Sequence, residues 1–310
     1  MGQCVTKMSE RLGAVIGTAV RAGAAPRAVI VGFPCDEGVR RNGGRVGAAR
    51  APGAIREALY RMLPDPRSGD THVELLAHTL DLGDMPLSGE LEVDQLCLGA
   101  ILAPYIEHDV LAIVLGGGHE TAYGHFLAYA AVGRAVTLLN WDAHTDVREL
   151  RDGEGHSGSP FRQALSHVSG VARGYTVAGL QAHQVSPGAL EFISSHDGDW
   201  VWREDVSPAT VDGVYAALTA PALVSFDMDV VDQSEAPGVS APAVGGISAD
   251  LWLRAADQAG RCPAVRSVDI VEVNPAFDLD GRTARLAALA VWAILRGRAL
   301  SGGVDGSAAR

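Results

Sequence analysis

The chain has 310 residues, enough for one large α/β domain or two small ones, and it is 47% hydrophobic but only 5% aromatic, so its core must be built mainly from Ala, Val, Ile and Leu. A formal charge of −12, from 25 Lys+Arg against 37 Asp+Glu, disfavours nucleic acid and anionic membranes as main partners. The four cysteines (Cys4, Cys35, Cys97 and Cys262) lack CxxC or CxxH spacing, which disfavours a structural zinc and a disulfide framework.

In chain order, residues 1–27 read as a loose N-terminal extension: Glu10 and Arg11 precede a short apolar patch that never becomes a signal-peptide core. No run approaches the roughly 20 apolar residues of a membrane span, and the expectation is a cytoplasmic soluble protein. AVIVGF (28–33) reads as the first strand, and the basic segment GVRRNGGRVGAAR after it holds glycines that let it bend. A helix near 52–62, a strand at 76–83 and a helix at 91–106 follow. Strands at 109–115 and 135–141 each lead through a loop into helices near 120–132 and 159–167. Further strands fall at 175–180, 199–204, 222–227 and 265–272, alternating with helices near 187–195, 208–218, 248–259 and 281–296. This βα repetition indicates an α/β fold with a mostly parallel sheet covered on both faces. Nothing divides residues 28–298 into two domains, and 299–310 reads as a flexible tail.

Three of those strands end in unusual polar stretches: LGGGHE with His119, NWDAHTD with Asp142, His144 and Asp146, and SFDMD with Asp227 and Asp229. Active sites of parallel sheets form at the carboxyl ends of strands. Residues i, i+2 and i+4 of an extended segment project to one side, so Asp142, His144 and Asp146 converge, as do Asp227 and Asp229. Four clustered carboxylates could not all stay ionised away from water without a counter-charge, and two divalent cations would supply it. With no thiolate in the set, mixed imidazole and carboxylate ligands suit two Mn²⁺, with Zn²⁺, Ni²⁺ or Fe²⁺ as alternatives. A metal pair that activates water points to hydrolysis at carbon or phosphorus. Taken singly, each motif has a plainer reading as a hydrogen-bonded loop histidine or a turn; their recurrence at successive strand ends favours the metal.

These stretches, together with CDEGVRRNGGRVGAARAPGAIR, HSGSPFRQ, APGVSAP and VDIVEVNPAFDLDGRTARLAA, resemble the ureohydrolase (arginase and agmatinase) superfamily over residues 28–296, most closely the formimidoylglutamases. The resemblance implies a three-layer α/β/α sandwich with an eight-stranded sheet, two Mn²⁺ ions, a homo-oligomer (trimer or hexamer) and a small amidine or guanidino substrate. It places His119, Asp142, Asp146 and Asp229 on one metal and Asp142, His144, Asp227 and Asp229 on the other. It also makes Glu272 a substrate-facing acid, and Glu272 and Asp146 the expected catalytic carboxylates. The implied reaction is hydrolysis of N-formimidoyl-L-glutamate to L-glutamate and formamide. The alternatives are a ureohydrolase acting on a guanidino acid or agmatine, and a non-catalytic metal-binding relative. A dianionic substrate calls for arginine forks, so Arg41, Asn42, Arg45 and Ser157 are the expected substrate contacts, with Arg148 and Arg162 as second choices. His156 is a weaker candidate for proton transfer, Asn140 for organising backbone, and His125 for packing or support.

Overall fold

Residues 10–218 and 221–302 are described by the structure, a computed structural model. After two short helical turns, α1 (Leu12–Val15) and α2 (Thr18–Arg21), the chain runs β1 (Ala28–Phe33), α3 (Glu37–Asn42), α4 (Ala51–Tyr60), α5 (Asp70–Ala77), β2 (Thr79–Asp84) and α6 (Leu91–Glu107). It continues β3 (Leu111–Gly116), α7 (Thr121–Ala131), β4 (Val136–Trp141), α8 (Pro160–Leu165), β5 (Ala172–Leu180), α9 (Pro187–Ser194), β6 (Asp199–Trp202) and α10 (Pro208–Ala217). The last elements are β7 (Ala222–Asp227), α11 (Ala249–Arg261), β8 (Val265–Val271) and α12 (Arg282–Gly302).

The eight strands form one sheet in the order β2-β1-β3-β8-β7-β4-β5-β6. Every strand pair is parallel. Their apolar runs are continuous because both faces are covered. Along β3, Leu111, Ile113 and Leu115 enter one core and Ala112 and Val114 the other. The first core is closed by α4, α5, α11 and α12, the second by α6, α7 and α8. Each fully buried Leu, Ile or Val contributes about 1.5–3 kcal/mol. Helices α9, α10 and α11 start on serine caps: Ser186, Ser207 and Ser248 accept from the N–H groups of Ala189, Thr210 and Leu251.

The structure departs from the sequence reading in four places. The strand expected at 76–83 begins at Thr79, because 70–77 forms α5 and buries His72, Leu75 and Leu76. Part of the basic segment is helical: α3 ends at Gly43, whose φ of +77° suits glycine. The N-terminal extension is docked from Leu12 onward. Leu12 and Ile16 are buried, and the N–H groups of Leu12 and Gly17 donate to Met62 (2.9 Å) and Leu76 (3.1 Å) carbonyls. Of the expected tail, 299–302 completes α12; 303–310 lie outside the described residues, as do 1–9. Among the described residues, no helix is long and apolar enough to cross a membrane.

Candidate metal centre and substrate cavity

Four adjacent central strands, β3, β8, β7 and β4, deliver the polar residues at their carboxyl ends. His119 follows β3, Glu272 follows β8, Asp227 ends β7 with Asp229 two residues on, and Asp142, His144 and Asp146 follow β4. Close approach of the β3 loop explains one of its glycines: a Cβ on Gly117 would overlap the Cys35 carbonyl oxygen. Two Asx turns fix the spacing of the ligand runs. Asp142 Oδ1 accepts from His144 N–H at 2.7 Å, and Asp227 Oδ1 from Asp229 N–H at 2.8 Å.

The side chains form two groups. His119 Nδ1 lies 2.8 Å from Asp146 Oδ2, 2.9 Å from Asp227 Oδ2 and 3.5 Å from Asp142 Oδ2. His144 Nδ1 lies 3.3 Å from both Asp142 Oδ1 and Asp229 Oδ2. Asp142 therefore serves both groups, as expected, but the other two aspartates are distributed differently. Asp227 joins His119, while Asp229, expected with both histidines, joins His144 alone. The reason is local: the short 3₁₀ turn at Met228–Val230 swings Asp229 past the strand end, while Asp227 stays on β7.

The donor set fits a cation pair. All six residues are buried, and His119 Nδ1 makes no hydrogen bond although three carboxylate oxygens lie within 3.5 Å. Carboxylate oxygens from three residues crowded on an unbonded ring nitrogen mark a place where donors for a cation converge. Burial, then repulsion from Asp229 and Asp142, pushes the Asp227 carboxyl well up, and burial also raises Asp229. Burial disfavours the His119 cation, yet Asp227 and Asp146 outweigh it and hold the imidazole well above 6.5; Asp229 and Asp142 do the same for His144. Burial opposes ionisation of Asp142, but His144 and His119 overcome it and lower its pKa. Such a cluster holds protons that a divalent cation displaces on binding. Outer contacts fix the ligands: His144 Nε2 pairs with Gln184 Oε1 at 3.0 Å, and Asn140 donates to Asp142 Oδ2 at 2.9 Å and to the Tyr175 hydroxyl at 3.1 Å.

A cavity of about 160 Å³ opens onto this cluster. Glu272 forms one wall, with its backbone at φ +64°, unusual for a non-glycine residue. Its Oε1 accepts from His119 N–H at 2.8 Å, and its Oε2 is buried without a partner. Burial, then repulsion from Glu120 and Asp229, raises its pKa well above the carboxylate range. Asn42, Ser157 and Arg148 line the cavity as well, and Asn42 Nδ2 donates to Ser157 Oγ at 3.1 Å.

A profile of the arginase family matches residues 26–296. The chain belongs to the arginase family. It is 37% identical over 298 residues to a formimidoylglutamase of Rhodococcus jostii, covering 91% of this chain and 89% of that one. A second formimidoylglutamase, from Nocardia farcinica, is 37% identical over 278 residues, covering 86% and 85%. Among solved structures, Trypanosoma cruzi formiminoglutamase with Mn²⁺ superposes with a TM-score of 0.83 at 30% identity, covering 93% of this chain and 98% of that one. Bacillus subtilis arginase shares the fold, with a TM-score of 0.71 at 22% identity, covering 86% and 98%.

Within this arginase-family site, several expected substrate residues lie elsewhere. Arg41 does not line the cavity. Its guanidinium is held by Glu92 (2.5 Å), Glu37 (3.1 Å), Glu154 (3.7 Å) and the Gly155 carbonyl (3.1 Å). Arg45 also turns away, onto the Ser240 carbonyl (3.0 Å), the Val239 carbonyl (2.5 Å) and the Phe277 ring (4.2 Å). Arg162 donates to the Val147 carbonyl at 2.7 Å and lies over Phe192. Among the described residues Arg148 is the only arginine lining the cavity, and none of them forms an ion pair with it. Gly158 leaves it room, since a Cβ there would sit 3.0 Å from Arg148 Cδ. His156 is occupied at both nitrogens: Nδ1 accepts from Gly158 N–H at 3.1 Å, and Nε2 faces the Glu149 carbonyl at 3.0 Å. Burial lowers its pKa, and it does not line the cavity. Glu120 was not singled out from the sequence, although its place beside His119 in GGGHE marks it. Its Oε1 accepts from Gly38 N–H at 2.9 Å at the start of α3, and burial raises its pKa to about 7.

Proposed function

We propose that the protein hydrolyses the C–N bond of N-formimidoyl-L-glutamate, giving L-glutamate and formamide, with a dinuclear Mn²⁺ centre held by His119, Asp142, Asp146 and Asp227 on one side and His144, Asp142 and Asp229 on the other. The observation that carries this reading is one small cavity lined by both chemistries: the buried carboxylate cluster with Glu272, and Arg148, which forms no ion pair with a described residue. The identity to formimidoylglutamases over most of the chain supports the same reaction.

When bound, the cation pair supplies Lewis acidity and a hydroxide nucleophile at neutral pH. The unpartnered Glu272 Oε2 accepts from the formimidoyl N–H and orients its carbon toward the cluster. Asp146, at the cavity wall, takes the proton of the attacking water and returns it to the departing glutamate amine. Arg148, Asn42 and Ser157 bind the substrate carboxylates, which a cation such as agmatine would lack. The test is to incubate the Mn²⁺-loaded protein with N-formimidoyl-L-glutamate, guanidinobutyrate, arginine and agmatine and to assay formamide and urea. Formamide from the first substrate alone is expected. Urea from any guanidino compound would overturn the substrate, and silence from all four would overturn the activity.

A further inference from the structure

A row of polar side chains crosses the centre of an otherwise apolar sheet. In register, Asn140 of β4 pairs with Ser225 of β7, and Ser225 pairs with Asp269 of β8. All three are fully buried, in strands whose other buried positions are apolar except for Asp227 at the end of β7 and Ser267 of β8, which bonds the Tyr129 hydroxyl. Buried polar groups at this depth are costly unless satisfied. Asn140 is accounted for by its bond to Asp142. Ser225 and Asp269 are not metal ligands, and nothing in the proposed chemistry uses them directly.

Their bonds form a chain that ends at a ligand. His125, in the first turns of α7, bonds Asp269 Oδ2 through Nδ1 at 2.7 Å. Ser225 donates its hydroxyl to Asp269 Oδ1, and His119 Nε2 lies 3.0 Å from Ser225 Oγ. The direction of the chain is forced by what each group can offer. An Asp269 carboxylate only accepts, so the single Ser225 proton points to it. Ser225 Oγ can then only accept from His119, which puts the His119 proton on Nε2. In the neutral ring that a cation binds, His119 Nδ1 is then left with a bare lone pair, and that is the atom facing Asp146, Asp227 and Asp142. A swapped tautomer would aim an N–H at the place where the cation binds.

We infer that Asp269, oriented by His125 and acting through Ser225, is a positioning residue that fixes the His119 tautomer and so sets the cation affinity of the His119 group. This rests on the proposed metal centre. The His144 group, supported instead by Gln184, is outside the chain and should not depend on it.

The test uses Asp269→Asn, whose amide can donate to Ser225 and release the serine hydroxyl to donate to His119 Nε2. Ser225→Ala removes the link with less disturbance and keeps the test open if the first variant does not fold. Two readouts apply to the full-length protein. In the metal-free state, at a pH high enough to leave the imidazole neutral, long-range ¹H–¹⁵N spectra of the histidines should place the His119 proton on Nε2 in the wild type; in Asp269→Asn it should shift to Nδ1, and in Ser225→Ala it should divide between the two nitrogens. Titration with Mn²⁺, followed by electron paramagnetic resonance, should show one of the two sites weakened about 10–100-fold in each variant and the other kept within about twofold. Unchanged tautomer and unchanged affinities would overturn the inference, as would equal weakening of both sites. A wild-type protein that binds no Mn²⁺ would instead overturn the metal centre, while the tautomer measurement would still decide the chain.

Discussion

The strand-end ligands and the basic segment after β1 behave in opposite ways. His119, Asp142, His144, Asp146, Asp227 and Asp229 have short side chains on backbone fixed by a central sheet, so the alternation of the chain determines where they point. Arg41 and Arg45 carry long side chains on a six-residue helix and the loop after it, and they take whichever partner lies in reach. For Arg41 those partners come from α6 and from the loop at 154–155, distant in sequence. A residue type that suits a substrate is thus a weaker guide than a backbone that aims it. Arg148 makes the contrast sharper: it lies two residues beyond Asp146, its N–H bound to the Gly158 carbonyl at 2.9 Å, and it is the arginine that reaches the cavity.

Four predictions probe that contrast, from the largest effect down. Asp142→Asn removes the carboxylate common to both ligand groups; metal content measured by mass spectrometry should fall toward zero and kcat/KM by about 10³-fold, the order seen when transition-state electrostatics are removed. Retention of two metals with full turnover would break the strand-end side of the comparison. Glu272→Gln should lower kcat by about 10²-fold and leave metal content near two per chain, because Glu272 faces the cavity without joining either ligand group.

The third prediction concerns pH and a region far from the site. Burial, helped by Arg296 and opposed by Asp65, pushes the His72 imidazole down from 6.5 to about 4, and its Nδ1 accepts from Asp65 N–H at 3.1 Å. The folded state thus binds a proton less readily than the unfolded chain. The stability is fully present above pH 6.5 and is lost as pH falls toward 4, by about 3 kcal/mol in all. Urea denaturation at pH 7 and pH 4.5 should show this loss in the wild type and a smaller one in His72→Gln; equal losses would assign the effect elsewhere. The smallest effect is Arg41→Ala, which should cost about 1–2 kcal/mol of stability by leaving the Gly155 carbonyl and Glu92 unpaired, with KM unchanged. A tenfold rise in KM would return Arg41 to the substrate side.

Much of this was readable in advance for physical reasons. All eight strands, and the clustering of the candidate ligand residues at their ends, were legible because a doubly covered parallel sheet needs continuous apolar runs, and polar breaks at their ends stand out. Helix α5 was not, because its apolar residues run straight on into β2 and the boundary depends on His72, Leu75 and Leu76 finding the core. The assignment of Asp227 and Asp229 to separate histidines depends on the turn at Met228–Val230, which alternation alone cannot give. Ser225 and Asp269 carried a usable signal as polar residues inside apolar strands, but their pairing needed the strand order, which places β8 between β3 and β7.

The most direct test of the account is kcat/KM for N-formimidoyl-L-glutamate, measured on the Mn²⁺-loaded wild type, Arg148→Ala and Arg41→Ala. The account predicts a value reduced at least about tenfold by loss of the Arg148 charge and unchanged by loss of Arg41. The reverse pattern, with Arg41→Ala collapsing kcat/KM and Arg148→Ala leaving it intact, would contradict it.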